Sequence, residues 1–502
     1  MSFIFLKNSC IKGLGLLKLK YKVQKEVVNM VKNPQKFKHP KGLWLINVMI
    51  AIQSYASYAT SGFLILFYTY SVEQGGLGLD KTFAGDVMAY LGTIGSLLPL
   101  LGAYLTDKYI GMQRAIQFGI LFNSIGTLFT AFAHGRFYVF LTGVIINSIA
   151  GAFFRGNLSA IVGELYDQKQ VSMKDAAYSI FYTFVNIGSL LGPIIGGLIY
   201  QDWGATKGAD GKIAVYGFTP AFLMVSICLF ITFLLFTFGK NKLLGDAGRY
   251  PVGKNKHESA EENKEDLKGS KYDKGRLYAA VVIFVFSTVF WSAYFQTQTT
   301  ITLMTDELVN LNVLGFDMPI TWLVSFNGFL CIVLAPLFGW FWMKKAEKNN
   351  DWKVATKMGW GMLLTGLGFV CFVLGLQSLG GKLDGSIKMS IWYVLGGYFV
   401  LTVGELLVSP IGMALFSKLL PKKFAAMSMA MWYFTYVVSS WITGKTVGWT
   451  ETWGYEKVLT IIAIIMGVLG VLLFIIANPL EKIMALDKIG KEDEEELEVQ
   501  QA

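Results

Sequence analysis

Long apolar stretches separated by short polar segments dominate the pattern of this 502-residue chain. A helix of about 20 apolar residues crosses the hydrocarbon core of a bilayer, and within that core the backbone must satisfy its own hydrogen bonds. Each long apolar stretch is therefore predicted to be a membrane-spanning helix. The twelve predicted spans cover residues 43–70, 85–106, 115–133, 137–163, 176–200, 214–239, 277–303, 319–343, 358–381, 389–417, 424–444 and 458–480.

One polar segment interrupts this pattern more strongly than any other. Residues 240–276 are rich in charge and almost free of large aliphatic side chains, so we expect a flexible cytoplasmic linker. It separates an N-terminal six-helix bundle (42–239) from a C-terminal one (277–480), with a basic tail (1–41) before them and an acidic tail (481–502) after them. This all-α, six-plus-six layout resembles that of the major facilitator superfamily, whose two halves enclose a substrate site near the membrane midplane.

Composition and charge exclude several other classes of protein. Hydrophobic residues make up 54% of the chain and its mean hydropathy is +0.49, which is too apolar for a soluble globular protein. The net charge of +10 is concentrated in the N-terminal tail and in alternate loops. By the positive-inside rule this distribution predicts cytoplasmic termini in a multi-pass plasma-membrane protein. We therefore expect the bilayer, rather than nucleic acid, as the partner of the basic segments.

Ionisable side chains are almost absent from the depth of the predicted spans, so the exceptions are candidate functional residues. Arg155 lies in the fourth span of the first half, and Glu405 lies in the fourth span of the second half. If the two halves face each other, one wall of the cavity is cationic and the other anionic. Such a site suits a zwitterion that carries a carboxylate and an ammonium group. A structural ion pair between the two residues is the alternative, although burying such a pair stabilises little.

Enzymatic chemistry is not expected from the motifs of this chain. The three histidines fall in loops or tails, and the four cysteines have neither metal-site nor disulfide spacing. No catalytic triad, paired-carboxylate set or phosphate-binding loop is visible in the spans. We therefore predict a protein without catalytic residues, metal or cofactor.

Several short motifs follow one another in a recognisable order over residues 37–445. They are GAYLTDKYIGMQR (102–114), FFRGNLSAIVGELY (153–166), SIFYTFVNIGSLLGP (179–193), FWSAYFQ (290–296), SFNGFLCIVLAP (325–336), GELLVSPIGMALFSKLLPKK (404–423) and MAMWYF (429–434). Together they resemble the proton-dependent oligopeptide transporter, or POT, family, most specifically in spans 5 and 10. The resemblance implies a major facilitator fold with twelve spans and the transport of small peptides.

The first span departs from that family's pattern. HPKGL (39–43) sets the register of FKHPKGLWLINVMIAIQSYASYATSG against the family's ExxERFxYYGMR segment. The family's two glutamates and two arginines correspond here to Ile50, Gln53, Ser54 and Ser61. Because this cluster is implicated in proton coupling and carboxylate recognition in the family, the resemblance implies altered or absent proton coupling.

Other departures point the same way. The family's span 4 lysine is Arg155, which cannot lose its proton in a protein. The acidic gate partner in span 7 corresponds to Phe295, and a span 2 tyrosine corresponds less securely to Ser96. Glu405 is therefore the remaining candidate for carrying a proton.

Binding residues can be carried over from the family by position. Arg155 would bind the carboxylate of a substrate, and Glu405 its ammonium group. The residues expected to hydrogen-bond a peptide unit are Tyr58, Tyr182, Asn186, Gln296, Asn327 and Ser409, and those expected to line side-chain pockets are Trp291 and Trp432. A packing role is open for each of these eight residues, since polar side chains in spans often join helices.

The sequence thus predicts a transporter that moves di- or tripeptides, or a similar zwitterion, by alternating access. Protons are a candidate second partner, and we expect a monomer. Two alternatives stay open: a transporter of a non-peptide substrate, and a non-transporting membrane sensor or partner-binding protein that keeps the fold and the binding site.

Overall fold

The computed structural model describes residues 38–166, 170–209, 211–251, 273–348, 352–383, 385–419 and 425–484. Twelve long helices are present in these residues, as the sequence predicts. They are α1 (Lys41–Ser61), α2 (Lys81–Leu105), α3 (Met112–Ala131), α4 (Phe137–Glu164), α5 (Val171–Leu198), α6 (Phe218–Leu243), α7 (Asp273–Tyr294), α8 (Trp322–Glu347), α9 (Val354–Gln377), α10 (Ile391–Leu419), α11 (Ala425–Trp453) and α12 (Tyr455–Met484).

Short elements extend or connect these helices. The helical ones are Leu64–Thr69 after α1, the π-helical turns Thr106–Ile110 and Ile199–Trp203 after α2 and α5, and the 3-10 turn Phe295–Gln298 with the helix Thr300–Leu308 after α7. The strands are β1 (Thr206–Lys207), β2 (Ile213–Val215), β3 (Val309–Asn310), β4 (Asn312–Val313), β5 (Phe316–Asp317) and β6 (Met389–Ser390). β1 pairs with β2 and β4 with β5, both antiparallel, whereas β3 and β6 are parallel, with Val309 opposite Met389.

Nine of the described helices are long and apolar enough to cross a membrane by length and hydropathy alone. The three others, α1, α3 and α11, are more polar because some of their polar side chains face other helices rather than lipid. In α11, for example, Ser439 and Thr443 donate hydrogen bonds to the carbonyl oxygens of Thr288 and Ser292 in α7. The fold is therefore the expected twelve-helix major facilitator fold.

The two six-helix halves meet along two pairs of helices. Within the first half α1 packs along α5 and α6, and α3 along α4; within the second half α9 packs along α10 and α12. Between the halves, α2 packs along α11 and α5 along α8. The α2–α11 contact depends on two glycines, since a Cβ added to Gly444 would lie only 2.3 Å from the carbonyl oxygen of Gly85.

The boundaries of the predicted linker differ from those in the structure. α6 continues to Leu243 and α7 begins at Asp273, so both helices extend into the segment 240–276. The residues after α6 fold back onto α3, where the side chain of Gln113 donates to the carbonyl oxygens of Gly245 (2.9 Å) and Ala247 (2.8 Å). Residues 252–272 of the linker, 1–37 of the basic tail and 485–502 of the acidic tail lie outside the described residues.

Candidate functional site

The cationic side of the candidate site is built from α4 and α1. Nη2 of Arg155 donates a hydrogen bond of 2.8 Å to Oγ of Ser57. Nε2 of Gln53, one turn earlier on α1, donates to the same oxygen at 3.0 Å. The guanidinium group is thereby held against α1 while its side chain stays exposed. Ser57, which the sequence did not single out, is the residue that positions it.

The anionic side is built from α10, α7 and α8. Oε2 of Glu405 accepts hydrogen bonds from the hydroxyl of Tyr294 (2.8 Å) and from Nδ2 of Asn327 (3.1 Å). The thiol of Cys331 is 3.8 Å from the same oxygen. All three partners are neutral, so within the described part of the chain the carboxylate is oriented without being paired with a cation. An unpaired carboxylate of this kind can bind an ammonium group.

Sequence reasoning found Asn327 but missed Tyr294 and Cys331. Tyr294 lies in the motif FWSAYFQ, between the predicted residues Trp291 and Gln296. A signal was available, because Tyr294 is three residues after Trp291 and so lies on the same face of α7. The rings of these two residues are in fact in edge-to-face contact, with centroids 5.3 Å apart.

Arg155 and Glu405 do not form an ion pair with each other in the described residues. The two halves approach each other along α5 and α8, where Oγ of Ser325 donates to the carbonyl oxygen of Leu190 at 2.9 Å. Within the described residues neither charge is paired with the other, so both are available to a third group.

The remaining predicted binding residues fall into two groups, one half-buried and the other buried. Asn186 and Ser409 are half-buried, and Asn186 donates from Nδ2 to the carbonyl oxygen of Tyr182 at 2.9 Å. Gln296 is only 1% exposed and donates to the carbonyl oxygen of Ser292. Trp432 is 0% exposed. Trp291 is also buried, so the structure presents neither tryptophan at an open surface, and the pocket-lining role of both stays a prediction from the resemblance.

The four altered positions of the first span have different surroundings. Ile50 belongs to the apolar core of the first half. Ser54 faces α5, where a Cβ added to Gly188 would lie 2.8 Å from the Cβ of Ser54. Gln53 is buried beside Ser57, and the hydroxyl of Ser61 donates to the carbonyl oxygen of Tyr58. No charged cluster can form among these side chains.

The two further altered positions are equally free of charge. The ring of Phe295 contacts those of Trp291 and Tyr436, with centroids 5.4 and 5.9 Å away. The hydroxyl of Ser96 donates to the carbonyl oxygen of Gly92 within α2. Neither residue can take part in an ionic gate.

Comparison with known proteins decides the family. The sequence model of the POT family matches residues 95–244 and 255–463, which is more than half of the chain. The chain belongs to the POT family. This family consists of multi-pass membrane transporters rather than enzymes, and the resemblance of the motifs to it is confirmed.

Individual members of the POT family agree with this assignment along most of the chain. The sequence is 25% identical to the uncharacterized transporter YclF of Bacillus subtilis, over 90% of this chain and 96% of that protein. It is 26% identical to the peptide transporter YePEPT of Yersinia enterocolitica, over 79% of this chain and 85% of that one. A crystal structure of a peptide transporter POT mutant in complex with alafosfalin is 25% identical, with a TM-score of 0.77 over 89% of this chain and 96% of that chain.

In this POT-family chain, ion pairs join the two halves at the end where α1 leads into α2. Nζ of Lys81 is 2.6 Å from Oε1 of Glu307, and Nζ of Lys445 is 2.6 Å from Oδ1 of Asp86. The hydroxyl of Tyr70 also donates to Oδ1 of Asp306 at 2.7 Å. We call this set of contacts the closed end. It joins the halves by charges on α2, on the helix Thr300–Leu308 and on α11, and not by the positions of Ser61 and Phe295.

The Asp86–Lys445 pair provides a test of the closed end. An Asp86→Asn variant should open this end more often, because it removes one inter-half attraction. The effect should be no more than about fivefold, since both side chains are partly exposed. If the termini are cytoplasmic, as the positive-inside rule predicts, labelling of a Thr93→Cys reporter on α2 by a membrane-impermeant maleimide added to intact cells measures this opening. The charge-swapped variant, Asp86→Lys with Lys445→Asp, should return labelling towards the original rate; failure of the swap would mean that the pair does not hold the halves together.

Proposed function

We propose that this protein transports di- or tripeptides, or a similar small zwitterion, across the plasma membrane by alternating access. The observation that carries the proposal is the placement of Arg155 on one half and Glu405 on the other, each held by neutral partners. A zwitterion satisfies both charges at once and so connects the two halves. The peptide transporter YePEPT and the POT structure in complex with alafosfalin support a peptide-like substrate.

The closed end defines one state of the transport cycle. The positive-inside rule predicts that both termini are cytoplasmic, and the closed end would then face outward. Arg155 would bind the carboxylate of the substrate and Glu405 its ammonium group. For uptake, the contacts of Lys81 and Asp86 across the halves must break and later re-form. This requirement suits partly exposed ion pairs, which are individually weak.

Proton coupling would differ from that of the family. Arg155 keeps its charge, and the altered first span offers no carboxylate. Glu405 is the one site residue whose carboxyl group can exchange a proton with water. We propose that coupling, if it operates, passes through Glu405, and that transport is otherwise facilitated equilibration.

Uptake of labelled dialanine into proteoliposomes, with and without an inward proton gradient, tests these proposals. Accumulation above equilibrium only with the gradient is the expected result for coupling through Glu405, and Glu405→Gln should then abolish the accumulation. Glutamine keeps the shape and an acceptor oxygen for Tyr294 while removing the charge. Glu451→Gln, which changes a carboxylate bound to Thr82 at the closed end, is the matched control and should keep the gradient dependence.

Other results would redirect the proposal. Equilibration without any dependence on the gradient would indicate a facilitator. Binding of dialanine without uptake would favour a sensor that keeps the fold, and neither binding nor uptake would indicate a non-peptide substrate. Unchanged binding and pH dependence in Glu405→Gln would remove Glu405 from the site.

A further inference from the structure

A polar cavity lies inside the first half of the protein. This cavity has a volume of about 290 Å³ and is enclosed by α1, α2, α3, α4 and α6. Arg155 lines it, as do Gln53 and Ser57. The residue that would bind the substrate carboxylate is therefore also part of the wall of this cavity. Its volume is near the lower end of the range of small-molecule pockets, about 300–1,000 Å³.

Carboxamide oxygens that have no hydrogen-bond partner among the described residues are the distinctive feature of its walls. Gln53 is 4% exposed, and its Oε1 has no hydrogen-bond partner among the described residues. Oδ1 of Asn147, on α4, is likewise buried and without a partner in the described part of the chain. Asn123 on α3 is a third carboxamide in the lining. Buried polar groups are nearly always hydrogen-bonded in proteins, so these groups indicate something that occupies the cavity.

The charges of the lining limit what that occupant can be. Arg155 is charged, and no carboxylate is among the lining residues. A cationic group would be repelled by the guanidinium group and would find no counter-charge. An apolar group would leave the carboxamides unsatisfied, at the cost of burying unpaired polar atoms. A carboxamide can both donate and accept hydrogen bonds, so the best complement is an uncharged group that does the same.

We propose that this cavity is a subsite for an uncharged side chain of the substrate that both donates and accepts hydrogen bonds, such as a carboxamide. The side chain would belong to the residue whose carboxylate is bound by Arg155, and would extend from Arg155 between Gln53, Asn123 and Asn147. This inference rests on the proposed function, because it assumes a peptide bound at Arg155. It predicts a preference for asparagine or glutamine at the C-terminal position of a dipeptide.

Binding of three dipeptides to the purified protein tests the proposal by isothermal titration calorimetry. Ala-Asn and Ala-Leu have side chains of similar size, and Ala-Ala serves as the reference. We expect Ala-Asn to bind about tenfold more tightly than Ala-Leu, because leucine leaves the carboxamides of the cavity unpaired. In Asn147→Leu the ratio of the two affinities should fall towards one, and Asn123→Leu provides a second, independent variant.

Asn47→Leu is the matched control. Asn47 is also a fully buried asparagine of the first half with an unpartnered amide in the described residues, but it does not line the cavity. This variant should keep the preference for Ala-Asn.

Equal binding of all three dipeptides would mean that the cavity holds only water, and would overturn the subsite while leaving the proposed function intact. A preference that survives both lining variants would also overturn it, by placing the selectivity elsewhere. Binding of no dipeptide at all would overturn the proposed function and the subsite together.

Discussion

An Arg155→Met variant is expected to bind dipeptides roughly 30-fold more weakly than the unaltered protein. Methionine keeps a long unbranched side chain but removes the guanidinium group, so the substrate carboxylate would lose its cationic partner. Losing one partner of a hydrogen-bonded charge pair costs about 2–5 kcal/mol. We expect the lower end of that range, because Arg155 is exposed rather than enclosed. Calorimetric titration with dialanine measures the loss.

Arg136→Met is the control for this prediction. Arg136 precedes the same helix, α4, and is exposed at its start. Its replacement removes the same charge and should leave dialanine binding unchanged. Arg155→Lys should bind with intermediate affinity, because lysine keeps the charge but not the planar donor geometry. Full affinity in Arg155→Met would show that the carboxylate is bound elsewhere.

A Gly444→Val variant is expected to separate the two halves at the closed end. The added Cβ would lie 2.3 Å from the carbonyl oxygen of Gly85 and 2.5 Å from the backbone nitrogen of Ala89. Backbone atoms cannot move aside as a flexible side chain can, so α2 and α11 must move apart. Overpacking of this kind costs about 1–3 kcal/mol, which shifts a conformational equilibrium by roughly 5- to 150-fold.

In Gly444→Val, maleimide should therefore label the Thr93→Cys reporter faster in intact cells. Uptake of dialanine should fall, because the transport cycle needs the closed state. Gly467→Val is the matched control, since Gly467 is also a helical glycine of the second half and an added Cβ would meet no atom within 4 Å. The control should label and transport as the parent does. Unchanged labelling in Gly444→Val would mean that the α2–α11 contact does not govern access from this end.

Much of the fold was predictable from the order of apolar and polar residues. The twelve spans follow from the bilayer thickness, which imposes a minimum length on each apolar stretch. Their ends were less predictable. α11 runs to Trp453, nine residues beyond the predicted limit. The predicted end was too early because Lys445 and Glu451, which contact Asp86 and Thr82 of α2, lower the hydropathy of this part of the helix.

The candidate site was predictable in part. Arg155 and Glu405 were identified because a charge inside a membrane is rare and costly. Ser57 and Tyr294, which hold these charges, were not identified, since a serine or tyrosine in a span is common and carries no signal of its own. The ion pairs of the closed end were also missed. Lys81 and Glu307 are 226 residues apart in the chain and meet only through the packing of α2 beside the segment after α7.

By itself the sequence determined the class of protein, the number of spans, the family and the two charges within the spans, because each of these depends on local composition or on short motifs. Tertiary structure decided the rest. Only the folded chain shows that Arg155 and Glu405 form no ion pair with each other in the described residues, that Gln53 and Asn147 border one cavity, and that α2 and α11 meet at two glycines. These properties are distances between residues remote in sequence, and such distances are set by the packing of whole helices against one another.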